Sequence, residues 1–386
     1  MFAQRSLGNF SAVLTIRRSP DMLRRQPARP SGVARVLVLA FAILLILPAA
    51  ASASSPNCTP EQGQLFIDQG DLDRAVREFS CVIDANPTEV HGYVGRAEAM
   101  VLLGRFSAAF DDYNTGITAL VLPVHPDAFA TIYSAYATRL ASAPNSIPAL
   151  TGAAFVRWVN FDYAQAVQYL NRLLDVQPNN VFGVLFRGSS RLLQGKTTAK
   201  GVADLDNAIA LAPTNPSVRH IVADAYTYGL FDPERAAAEA TLALDWGLDT
   251  PRIHAILAAS SNALGDTVAA AEHIERHLDL VTTELIATAP IAAGTSISLD
   301  LVPGRTYAIP LPVTTGSTIS ISTGSPDMWD TIGLLRGPEG SPLLGTDDDD
   351  GYFAAFDHVA TASGTYVFHV TSFEAVSTGE LLVERS

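Results

Sequence analysis

The chain has 386 residues, of which 48% are apolar and 17% charged, and its net charge is −14. Such proportions belong to a folding chain with room for two or three domains. Residues 1–35 hold seven Arg and one Asp, a local +6 that leaves −20 for the rest. An acidic body lacks the Lys and Arg that displace counterions from phosphate, so nucleic acid is not an expected partner.

The basic start runs into twelve uninterrupted apolar residues, Val36 to Leu47, followed by Pro48 and the small residues Ala51-Ser52-Ala53. A basic n-region, a short apolar core and an A-x-A site predict an export signal over residues 1–53, cleaved after Ala53. Met22 is an alternative start that would give the n-region an ordinary length. The rival is an uncleaved anchor over residues 33–53, through which alone a membrane contact is expected. Cys58 and Cys81 are the two cysteines of the chain. In an oxidising compartment they are expected to pair, closing a loop whose constraint contributes roughly 3 kcal/mol.

Helical periodicity then repeats from residue 57 to about 284. "EQGQLFIDQGDLDRAVREFSCVIDANP" reads as two helices that turn at Gly70 and end before Pro87. In the next unit Gly104, Ala109, Tyr113 and Gly116 stand 34 residues after Gly70, Ala75, Phe79 and Val82. Small residues let paired helices approach, the aromatic fills the gap to the next unit, and Pro stops the second helix. This pattern resembles the tetratricopeptide repeat (TPR). Six units are readable, with an extra helix over residues 126–142. "SRLLQGKTT" imitates a phosphate-binding loop, but Ser190 replaces its first Gly and the preceding segment reads as helix, not strand.

The resemblance implies a superhelix whose groove holds a peptide. Phe155, Trp158, Phe186 and Tyr228 fall at groove positions, so an apolar or aromatic polypeptide is the expected partner. The competing reading is that these rings pack between repeats.

Beyond residue 290 the period changes to two. "TSISLDL", "YAIPLPV", "STISIST", "DTIGLLRG", "FAAFDHVAT", "TYVFHVTS" and "ELLVER" predict seven strands separated by turn residues, an antiparallel sandwich over residues 290–386. Asp330, Pro338 with Gly340, Asp347 with Asp348, and Gly364-Thr365-Tyr366 with Val370 resemble the bacterial pre-peptidase C-terminal (PPC) domain. In that family the sandwich is a non-catalytic appendage linked to secretion, adhesion or attachment. The acidic run is open to two readings. Asp347, Asp348, Asp350 and Asp357 could gather oxygens around Ca²⁺, the one cofactor in view, or form a hydrated turn.

No H-E-x-x-H or G-x-S-x-G motif occurs, and "HIERH" (273–277) has its Glu outside the zincin order. The expectation is thus multidomain: an all-α TPR superhelix, then an all-β antiparallel, jelly-roll-like sandwich. The function expected is that of an exported, non-enzymatic interaction scaffold for a protein or peptide. The alternative is a cell-surface adhesion protein whose sandwich binds glycan or matrix, with the repeats as spacer.

Overall fold

The computed structural model describes residues 58–113, 116, 128–195, 198–302, 304–324, 331–346, 354–372 and 379–385. The leader expected over residues 1–53 lies outside them. Among the described residues there are thirteen α-helices followed by nine strands. None of these helices is long and apolar enough to cross a membrane.

Twelve of the helices pair into six units. These are α1 (Pro60–Asp68) with α2 (Leu72–Ala85), α3 (Val90–Leu102) with α4 (Phe106–Tyr113), and α6 (Ile147–Val159) with α7 (Tyr163–Val176). Then come α8 (Val181–Leu193) with α9 (Thr198–Leu211), α10 (Pro216–Asp224) with α11 (Pro233–Asp245), and α12 (Pro251–Ala263) with α13 (Thr267–Val281). Helix α5 (Ala128–Ser142) lies between the second and third units.

The residues that defined the period are the ones that pack the units. Ala75, Phe79, Ala109 and Tyr113 are buried. The Phe79 ring sits so close to Gly63 and Gly95 that a Cβ at Gly95 would lie 2.1 Å from it. Asp71, Asp162, Asp232 and Asp266 cap the second helices, each side chain accepting from a backbone N–H three residues on. Such caps satisfy donors that the first helical turn leaves free.

Cys58 and Cys81 form the expected disulfide, tying the chain ahead of α1 to α2. Bridges of this kind persist in oxidising compartments. Replacing both with Ser should cost roughly 3 kcal/mol, because 23 residues of sequence separation are released in the unfolded chain. Denaturant titration of the double variant against the parent measures it. A loss under about 1 kcal/mol would mean the bridge constrains little.

The strands form two sheets that do not close into a barrel. One sheet has the order β1-β3-β8-β5-β6 and the other β2-β9-β4-β7. The strands are β1 (Glu284–Ala287), β2 (Thr295–Leu301), β3 (Arg305–Val313), β4 (Thr318–Gly324), β5 (Thr331–Arg336), β6 (Pro342–Thr346), β7 (Ala355–Val359), β8 (Gly364–Ser372) and β9 (Gly379–Arg385). Pairing is antiparallel except for β1 against β3. Ile309, Leu311, Tyr366 and Phe368 of one sheet meet Ile319, Ile321, Leu381 and Val383 of the other in a common core.

Two strands, β1 and β6, were not anticipated. β1 is four residues long and β6 starts on a Pro and carries Gly345, so neither shows a clear alternation. Tertiary cover explains β6. Gly345 lies against α13, where a Cβ would meet Ile274 at 2.6 Å, and Asn262 of α12 donates to its carbonyl at 3.0 Å. Helices thereby cover one exposed sheet edge. Ile332 and Leu334 of β5 share an apolar cluster with Ala255, Ala271, Ile274 and Leu278. Arg336 and Glu275 close the rim at 2.7 Å. The sandwich is thus docked on the last helix pair.

His277 lies beside this junction, its Nδ1 3.0 Å from the Pro251 carbonyl oxygen. Burial pushes its pKa down from 6.5 to about 4. The unfolded chain therefore takes up this proton first as pH falls. The contribution is complete above pH 6.5 and is lost as pH drops toward 4, up to roughly 3 kcal/mol. Urea titrations at pH 7 and pH 4.5 should show His277→Leu losing less stability than the parent over that interval. Equal losses would place the proton elsewhere.

Candidate functional site

A TPR groove would be lined by the first helices of the units, here α6, α8 and α10. In this chain that face is filled from within. Phe106, at the start of α4, packs on Phe186 at a ring separation of 5.6 Å and on Phe182 at 6.0 Å. Phe110 of α4 meets Trp158 at 5.7 Å, and Trp158 meets Phe186 at 4.8 Å. Tyr113 packs edge-on against Phe155 at 5.8 Å. Polar ties reinforce the closure: Asn215 donates to the Gly104 carbonyl at 3.2 Å, and Ser107 Oγ lies 2.6 Å from His220 Nδ1.

The burial of three of the expected groove residues agrees with the alternative reading, in which the rings pack between repeats. Phe155, Trp158 and Phe186 are 1%, 5% and 0% exposed, so a partner would have to displace the core to touch them. The Trp158 indole donates to Ser189 Oγ at 3.2 Å and needs no external acceptor. Tyr228 differs, being 37% exposed. Arg252 sits 4.9 Å over its ring and bonds Asp224 at 3.0 Å.

Tyr228 lies on the wall of a cleft of about 580 Å³ between the helical stack and the sandwich. Phe231 and Pro233 join it from the fifth unit, and Ala259 and Asn262 come from α12. Across from them stand Leu344 and Gly345 of β6, then Ala355, Phe356 and Asp357 of β7. The volume suits a ligand or peptide segment, since such sites run roughly 300–1,000 Å³.

Local backbone chemistry builds this wall. The turns inside four units place Gly70, Gly104, Gly195 and Gly265 at positive φ. The other two place Phe161 at φ 60° and Phe231 at φ 54°. A side chain there costs roughly 1–2 kcal/mol. Both rings are open to solvent, at 79% and 81%. Before Phe231 the helix widens into a π turn (Ala225–Leu230), a feature common at functional sites. The turn is closed by backbone hydrogen bonds from Phe231 and Asp232 N–H to the Tyr226 carbonyl, and it holds the Phe231 ring on the cleft wall, which Phe161 does not reach. This residue was missed at the sequence level, although Phe-Asp at the turn position, where Gly-Asp stands in units one and six, was readable.

Other constellations lead to less. Ser107, His220 and Asp224 have the residue types of an acyl-transfer triad, with His220 Nε2 3.9 Å from Asp224 Oδ2. All three are buried, and neither Ser107 nor His220 lines the cleft. Burial holds the His220 pKa below its ordinary value. Asp249 bridges His254 at 2.9 Å and Arg276 at 2.5 Å. Among the described residues no group of three or more His, Cys, Asp or Glu is placed to hold a metal. Asp347, Asp348 and Asp350 lie outside the described residues. Asp357 is exposed on β7 and accepts from Ser320 Oγ.

Residues 61–120 match the family model described as tetratricopeptide repeat, a span that includes most of the first two helix pairs. Such repeats generally mediate protein–protein contacts. A tetratricopeptide repeat protein from Parabacteroides merdae is 17% identical over 57% of this chain and 77% of its own, with a TM-score of 0.36. A thermophilic TPR protein of Thermus thermophilus is 20% identical over 53% of this chain and 97% of its own, with a TM-score of 0.31. The pre-peptidase C-terminal domain of a Bacillus anthracis collagenase is 16% identical over 26% of this chain and 96% of its own, with a TM-score of 0.22. No curated protein matches the chain in sequence.

Proposed function

From a stack of helix pairs that opens with tetratricopeptide repeats, we propose an exported scaffold that binds a partner polypeptide in the cleft between its helices and its sandwich. One observation carries this reading. The usual groove is filled by the chain's own aromatic rings, while a strained and solvent-open Phe231 is held at the cleft wall.

Export is supported by the basic start, the apolar run ending in Ala51-Ser52-Ala53, and the Cys58–Cys81 bridge. The rival, in which repeats merely space an adhesive sandwich from the cell, fits the junction less well. A spacer needs no apolar seam, yet Ile274 and Leu278 are buried against Ile332 and Leu334. The acidic run at Asp347, Asp348 and Asp350 enters as a calcium loop or a hydrated turn. A melting temperature raised by Ca²⁺ and restored by chelator supports the first, and an unchanged one the second.

The decisive comparison is between matched variants of residues 54–386. Phe231→Ser should weaken binding of the captured partner at least tenfold, while Phe161→Ser leaves it unchanged. Equal effects, or none, would remove the cleft from the account.

A further inference from the structure

The cleft has a second chemical character besides its apolar wall. β7 ends its sheet, with β4 as its one neighbour among the described residues. In that pair Phe356 stands opposite Ile321 and His358 opposite Ile319. The Ala354 carbonyl accepts from Thr323 N at 2.9 Å, and Ala360 N donates to the Ser317 carbonyl at 2.9 Å. Antiparallel ladders alternate, so the even-numbered residues direct N–H and C=O toward β4. Those of Ala355, Asp357 and Val359 therefore point away from it, on the free side. Ala355 and Asp357 are also residues of the cleft wall.

We propose that the cleft binds an extended polypeptide segment by strand addition to β7, with a large apolar side chain of that segment seated among Phe231, Pro233 and Leu344. This rests on the scaffold reading above and specifies its partner. Unpaired edge groups favour a strand, and a strand adds main-chain hydrogen bonds regardless of sequence while alternate side chains supply selectivity.

Charge narrows the occupant further. Asp232 and Asp357 line the cleft, and among the described residues no Lys or Arg does. Asp232 caps α11 through Arg235 N at 3.1 Å and has Arg235 Nε 3.7 Å away, whereas Asp357 accepts from the neutral Ser320 Oγ, so the charge of Asp357 is the less compensated of the two. The segment is accordingly expected to carry a basic residue beside its apolar anchor.

A second copy of this chain fits poorly. To pair edge to edge, each β7 would have to pass the Tyr228, Phe231 and Pro233 wall opposite its own partner. A free segment has no such wall to clear. The β6 edge offers no equivalent site, because Asn262 and α13 already occupy it.

The test uses random heptapeptides displayed on phage and selected on residues 54–386, followed by synthesis of the enriched sequences. Each peptide is made with a single N-methyl amide moved along its length. Strand addition predicts about tenfold weaker binding at every second position and little change between them, since each methyl deletes one main-chain donor. It also predicts weakening by Phe231→Ser and by Asp357→Pro, the latter removing an outward N–H that β4 does not use. Should Asp357→Pro fail to fold, the methyl series decides by itself. Absence of enrichment, or methyl sensitivity without alternation, overturns the proposal. A partner that needs Phe231 but tolerates every methyl and Asp357→Pro would sink strand addition and leave the scaffold standing. Binding indifferent to Phe231→Ser would sink both. A rise in mass of the unliganded chain to a dimer that Asp357→Pro abolishes would assign the edge to a second copy instead.

Discussion

Phe186→Ala is expected to destabilise the helical stack by about 3–5 kcal/mol, the largest effect of any single substitution considered. The ring is fully buried and lies 4.4 Å from Phe182, 4.8 Å from Trp158, 5.6 Å from Phe106 and 6.2 Å from Phe155. Removing it opens a hole shared by α4, α6 and α8, which rigid helices cannot collapse to fill. Denaturant titration reads the loss. At temperatures where the variant is still folded, partner affinity should be unchanged. A normal melting temperature with lost binding would return Phe186 to a ligand-facing groove.

Arg139→Ala comes next, at roughly 3 kcal/mol, toward the lower end for a broken buried pair because Arg139 is itself partly exposed. Glu98 of α3 is buried and accepts from Tyr136 Oη at 2.6 Å and from Arg139 Nη1 and Nη2 at 2.8 and 3.0 Å. Burial, with Glu98 adding to it, raises the Tyr136 pKa well above its ordinary value, so that hydroxyl remains a donor. Without Arg139 the carboxylate keeps one partner and no countercharge. Adding Glu98→Leu should recover part of the loss, because an apolar side chain needs no partner. Additive losses in the double variant would show that the two groups act independently.

Much of the fold is legible in the chain, and the reason is local. The spacing of Gly70, Ala75 and Phe79 against Gly104, Ala109 and Tyr113 encodes packing between neighbouring helices, which sequence distance preserves. Seven strands show their alternation for the same reason. β6 does not, since its burial comes from α13, about seventy residues earlier. The site was legible only in part. Phe155, Trp158 and Phe186 were readable as aromatic positions of the first helices. Their burial depends on Phe106 and Phe110 arriving from another unit, a contact no local pattern records. The cleft exists because a sandwich docks on α12 and α13, so its lining is distributed from Thr227 to Asp357. Of the four expected groove residues, Tyr228 is the one that is exposed and lines the cleft.

Phe161 provides a control that the molecule itself supplies. It shares with Phe231 the turn position, the left-handed backbone and the exposure, but it does not line the cleft. A photo-reactive phenylalanine analogue can therefore be placed at either position and irradiated with bound partner. Cross-linking at 231 with little at 161 is the result expected of a polypeptide lodged between helices and sandwich. Equal yields at both, or a higher yield at 161, would contradict it.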